Sequence, residues 1–116
     1  MAKKVVLVAF NGELMCFVHV LLNALDMAAR GYDVKVVIEG SATKTADTLN
    51  DPATQFHKFY RQVKEQGLID CVCKACAAKM EALAGIEAQG LPLCSEMTGH
   101  PSLANYIDAG YQVITF

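Results

Sequence analysis

Short apolar runs alternate along this chain with longer segments of helical character, and glycines fall at the joints. Residues 4–10, "KVVLVAF", form a β-branched run that predicts a strand buried on both faces. Asn11-Gly12 breaks it, and a helical stretch follows from about Glu13 to Arg30, with Gly31 where a terminating glycine belongs. "YDVKVVIEG" reads as a second buried strand, ending at Gly40. The Ser- and Thr-rich "SATKTADTLN" that follows reads as a surface loop. Asp51-Pro52 resembles an N-cap followed by proline in the first helical turn, opening a helix to about Gln66 before Gly67. "LIDCVC" is a third strand and "KACAAKMEALAG" a third helix closed by Gly85. "LPLC" is a fourth strand that Pro92 confines to an edge or a strand start. A short helix begins near His100-Pro101 and ends before Gly110, and "YQVITF" is the last strand.

Alternation of this kind marks βαβ units on a mostly parallel sheet. The expected fold is a single α/β domain over residues 1–116, doubly wound and flavodoxin-like, with about five strands and helices on both faces. Right-handed crossovers in that arrangement are expected to set the loops after the first and third strands side by side, where such folds bind ligands. The first of these loops is Asn11-Gly12-Glu13, and the second holds cysteines.

Hydrophobic residues make up 53% of the 116 positions and charged residues 19%, enough for a sizeable core and an apolar interface besides. A net charge of −2 offers no basic field to a nucleic acid or an anionic membrane surface, so neither is an expected partner. The longest apolar stretch, "LMCFVHVLLNALDMAA", is interrupted by His19, Asn23 and Asp26, which argues against a membrane span. Those three residues and Arg30 follow at spacings of four, three and four, a narrow polar stripe on an otherwise apolar helix. A helix on the face of a monomeric sheet usually has a broader polar face, so a homo-oligomer is expected. No export signal is visible, and an odd count of five cysteines would leave one unpaired. The expectation is a cytoplasmic protein with mainly reduced thiols.

Three of the cysteines crowd into "LIDCVCKAC", residues 68–76. Cys71 and Cys73 share a strand face, and Cys73 and Cys76 span the turn from strand into helix. Helix starts and cationic neighbours such as Lys74 bring a thiol pKa from about 8.5 to between roughly 3.5 and 7.5, while a neighbouring Glu13 would oppose the shift. Four chemistries fit. Buried packing suits Cys71 and Cys16. Zinc held by Cys71, Cys73, Cys76 and Cys94, with His100 in reserve, lacks the usual pair of separated CxxC motifs. A Cys73–Cys76 dithiol has redox-motif spacing. A nucleophilic thiolate at Cys73 could carry sulfur as a persulfide.

Taken together, "KKVVLVAFNGE", "GYDVKVVIEG", the cysteine ending the third strand in "LIDCVCKACAAKM", and "LANYIDAGYQVITF" resemble the DsrE/DsrF-like family of small sulfur-relay proteins over nearly the whole chain. The resemblance implies a flavodoxin-like fold, assembly into dimers, trimers or hexamers, and cytoplasmic transfer of sulfane sulfur between donor and acceptor proteins through one cysteine. That cysteine corresponds to Cys73, with Cys76 as a neighbouring thiol; from the chemistry of the residues themselves, Cys76 is expected to assist or resolve and Lys74 to favour the thiolate. No cofactor is implied. With no acid/base pair visible beside the thiol, a carrier or transferase is expected rather than a high-turnover enzyme. The alternative is a non-enzymatic oligomeric metal- or small-ligand-binding protein whose cysteines hold zinc or pack in the core. Asn11, Gly12 and Glu13 are candidate pocket residues, as are Thr98 and His100 if the fourth strand lies beside the third. The first loop lacks a complete GxGxxG or GxxxxGK pattern, so a nucleotide site is not expected. His57, beside Phe56 and Phe59, is expected to be a surface or packing residue.

Overall fold

The computed structural model describes residues 2–116, and its architecture follows from where the apolar runs bury their two faces. The elements are β1 (Lys4–Ala9), α1 (Leu14–Ala29), β2 (Asp33–Ile38), α2 (Ala42–Leu49), α3 (His57–Glu65), β3 (Ile69–Cys73), α4 (Lys74–Lys79), α5 (Leu83–Ala88), β4 (Leu93–Cys94), α6 (Leu103–Asp108) and β5 (Gln112–Thr115). All strand pairs are parallel, in the order β4-β3-β2-β1-β5. The chain is thus the expected α/β fold with a five-stranded sheet.

Steps from β1 to β4 all run in one direction, and β5 returns to the other side of β1. Right-handed crossovers therefore lay α1 to α5 over one face and α6 over the other. Alternate residues of β1 record this division. Val5, Leu7 and Ala9 enter the large core with Phe17, Leu21, Tyr60 and Ile86, whereas Val6 and Val8 join Val37, Cys71 and Cys94 beneath Leu103 and Tyr106. Among the described residues, no helix is long and apolar enough to cross a membrane.

The strand order corrects one expectation. β2 lies between β1 and β3, so the ends of β1 and β3 are separated by the β2–α2 junction rather than adjacent, and the order reverses between β1 and β5. Local assignments differ as well. Residues 42–49 are helix α2, not loop: Ala42, Ala46 and Leu49, at helical spacing, are buried. The hydroxyls that suggested a loop are tied to carbonyls, Thr43 Oγ1 to Gly40 O at 2.8 Å and Thr48 Oγ1 to Lys44 O at 3.1 Å. Asp51 Oδ1 instead accepts from the Ala53 amide at 2.9 Å in a turn, and α3 starts only after Phe56, whose φ of 69° is left-handed. The third predicted helix is split into α4 and α5 by Glu81 at φ 58°. Gly85 lies inside α5, where a Cβ would collide with the Asp47 carboxylate of α2. Its role is close helix packing rather than helix termination. The last helix starts at Leu103, two residues beyond Pro101.

Candidate functional site

Cys73 is the last residue of β3 and caps α4, its sulfur accepting from the Cys76 amide at 3.4 Å. The side chain is fully buried. β4 pairs with β3, Cys94 opposite Cys73, and the segment leaving β4 folds back over the start of α4. There Gly99 O accepts from the Ala75 amide at 2.9 Å, and Met97 and His100 exchange backbone hydrogen bonds at 2.8 and 3.0 Å. Gly99 has φ 92°, and a Cβ on it would sit 3.0 Å from the Ala75 Cβ, so this close approach needs glycine. The turn sets His100 Nδ1 3.1 Å from Cys73 Sγ and 3.6 Å from Cys76 Sγ. A thiol proton on Cys73 has two acceptors: the Gly99 carbonyl at 3.6 Å and, in the tautomer protonated at Nε2, His100 Nδ1. The thiol expected to stand without an acid/base partner therefore has an imidazole against it.

Burial, more than any other influence, pushes the Cys73 thiol up to about 12, and the Cys76 thiol adds to the rise. The Cys76 amide opposes it but does not prevail. The helix start and Lys74 thus do not produce a free thiolate at neutral pH. Lys74 is exposed at the first position of α4. Ionisation of Cys73 accordingly requires a proton acceptor or a cation at the sulfur, and His100 stands in position to accept.

Beside this cluster is a cavity of about 410 Å³, lined by Phe10, Gly40, Ser41, Cys76, Lys79, Met80 and His100. It opens at the carboxyl ends of β1, β2 and β3, where parallel sheets bind ligands. Cys76 and His100 are half-buried and face it. Glu39, the residue following β2, is a buried carboxylate missed in the sequence reading. Burial raises its pKa and the charge of His100 lowers it, and Glu39 in turn raises that of Cys73, so the three form one electrostatic group. The available signal was a lone acid following the apolar run "VKVVI" at a strand's carboxyl end.

The remaining sequence candidates lie elsewhere. Asn11 Oδ1 accepts from the Glu13 amide at 2.8 Å, and Glu13 caps α1 by accepting from Cys16 at 3.0 Å. Those backbone donors, Cys16 first, lower the Glu13 pKa. The Gly12 amide donates to Ser41 Oγ at 2.8 Å, and a Cβ on Gly12 would lie 2.6 Å from Ser41 O. This loop therefore docks on the β2–α2 junction, and Gly12 lines a second cavity with Ser41, Thr45 and Met80. Thr98 is exposed at φ 51° in the turn that carries His100. Cys71 and Cys94 form a disulfide with Cα atoms 5.7 Å apart, so mainly reduced thiols describe only Cys16, Cys73 and Cys76. The pairing also removes both residues from the four-cysteine zinc set. His57 Nδ1 lies 2.7 Å from Leu49 O, a packing contact between α2 and α3.

A parallel five-stranded sheet with a thiol–imidazole cluster at the strands' carboxyl ends places the chain in the class of small parallel α/β proteins. Within that class the chain belongs to the DsrE/DsrF-like family, whose model matches residues 6–116, and membership associates it with sulfur relay in general. It is 32% identical over 96 residues to an uncharacterised protein of Methanocaldococcus jannaschii, covering 83% of this chain and 76% of that one. An uncharacterised protein of Archaeoglobus fulgidus is 44% identical over 43 residues, 37% of this chain and 70% of that one. A solved structure of a conserved protein of unknown function from Bacteroides thetaiotaomicron superposes with a TM-score of 0.75 at 15% identity, over 98% of this chain and 95% of that one. This last likeness concerns the fold.

Proposed function

We propose that this protein is a cytoplasmic carrier of sulfane sulfur, held as a persulfide on Cys73 and passed between donor and acceptor proteins. The observation that carries the reading is the 3.1 Å contact between Cys73 Sγ and His100 Nδ1. Loading begins when His100 takes the Cys73 proton and the thiolate attacks the outer sulfur of a donor persulfide. The new S–S bond forms as the donor's S–S bond breaks, the electron pair leaves with the donor thiolate, and His100 returns the proton to it. There is no net oxidation. Cys76, at the cavity wall, assists, and Lys74 adds positive charge next to the nucleophile. Delivery is the reverse exchange with an acceptor thiolate. Attack by Cys76 on the inner sulfur instead expels hydrosulfide and leaves a Cys73–Cys76 disulfide, a side exit that a thiol reductant must reverse.

We also read the protein as a homo-oligomer. Met15 and Leu22 are exposed beside His19 and Asp26 on the outer face of α1, and Phe10, Met97 and Ile107 are exposed as well.

Intact mass spectrometry of reduced, metal-free protein after brief polysulfide exposure, followed by peptide mapping, tests the carrier reading. One reductant-labile sulfur on Cys73, lost in Cys73→Ser and transferable to a second thiol protein, is expected. Equal loading of Cys16, or none at Cys73, would overturn it.

A further inference from the structure

We propose that Cys73, Cys76 and His100 also form a three-ligand site for a thiophilic d¹⁰ cation, Zn²⁺, whose fourth position opens into the adjoining cavity. The two sulfurs and Nδ1 all lie within 4.8 Å of one another. Bonds of about 2.3 Å to sulfur and about 2.0–2.1 Å to nitrogen in a tetrahedron separate the ligand atoms by roughly 3.6–3.8 Å. The two sulfur–nitrogen distances are 3.1 and 3.6 Å, close to the sulfur–nitrogen edges of such a tetrahedron, and the two sulfurs lie within 4.8 Å of each other, so the three atoms can close on one cation.

The chemistry of the surroundings agrees. Two thiolates neutralise a divalent ion, and a soft donor set of this composition selects zinc-like over hard cations. The Cys76 amide already donates to Cys73 Sγ, a bond that supports a sulfur ligand. Three protein ligands with one open position are the arrangement of reactive rather than structural zinc sites. The disulfide keeps Cys71 and Cys94 from closing the fourth position. The cavity there, walled by Phe10 and Met80 with Lys79 among its lining, suits a small anionic sulfur ligand.

The cation and a persulfide would occupy the same Cys73 sulfur, so a bound ion is expected to block sulfur loading. The metal site itself does not depend on the carrier reading, because the two have separate readouts. Metal-free protein that keeps the Cys71–Cys94 bond and has Cys16, Cys73 and Cys76 as free thiols, titrated with Co²⁺ as a spectroscopic stand-in for Zn²⁺, should show visible bands of a tetrahedral ion and near-ultraviolet thiolate charge transfer, saturating at one equivalent per chain. Zn²⁺ should bleach both. Competition with a chromophoric chelator should show Cys76→Ser and His100→Gln each weakening Zn²⁺ binding by more than about 100-fold, since even outer partners of a metal cost about 10–100-fold. Cys16→Ser should change nothing, and circular dichroism confirms that each variant is folded. Absence of a one-to-one tetrahedral spectrum in the wild type, or tight binding that survives both substitutions, would overturn the site. Failure of polysulfide loading in metal-free protein would count against the carrier alone.

Discussion

Cys73 stood out in the sequence because it ends an apolar strand three residues before another cysteine, a pattern that local periodicity exposes. Its partner His100 could not be chosen the same way. It reaches the sulfur only because Gly99 turns the chain at a positive φ and hydrogen-bonds α4, a contact spanning more than twenty positions. Glu39 was hidden for a related reason: a charged residue after a strand is ordinarily a solvated end, and only tertiary packing covers this one. Its burial carries a pH signature. A carboxyl whose folded-state pKa is raised stabilises the native state below the unfolded pKa, and that stabilisation is lost as pH rises through the folded value. Glu39→Gln should therefore raise the melting temperature at pH 7–8, and the gain should shrink toward nothing near pH 4. Calorimetry across that range checks this, and a gain independent of pH would contradict it.

At the scale of elements, glycine and proline punctuation located the strands well, because strands buried on both faces must be apolar throughout. Helices were less legible where hydroxyl side chains bond backbone carbonyls, as in α2, since the same residues equally favour turns. The Cys71–Cys94 bond was not foreseen, as pairing two strand cysteines requires knowing that β4 lies beside β3. It closes a loop of sequence separation 23, for which chain entropy gives about 3 kcal/mol of stability. Urea unfolding with and without reductant should show a loss of that order. A Cys71→Ser/Cys94→Ser variant should be insensitive to reductant, and an equal response in both proteins would exclude the bond as the source.

For the whole molecule, alternating strands and helices indicated a parallel α/β sheet but not the order of its strands. Order depends on which crossover reverses direction, and nothing local in "LPLC" or "YQVITF" states that the chain passes back across β1. The polar stripe on α1 proved to share its surface with Met15 and Leu22, an arrangement a partner subunit would cover. Leu22→Glu should convert a wild-type assembly, sized by light scattering after gel filtration, into smaller species. A wild type of single-chain mass would contradict the oligomer outright, and a variant of unchanged size would remove α1 from the interface.

The disulfide beneath β4 has a consequence best put as effective concentration. Only a short segment separates Cys94 from His100, and Cys94 is fastened to the strand that carries Cys73. The imidazole is thus delivered to its sulfur by a short leash anchored at one end, and most of the orientational entropy of their encounter is spent in folding. One sulfur pair, chemically silent, in this way keeps a base continuously at hand for the other.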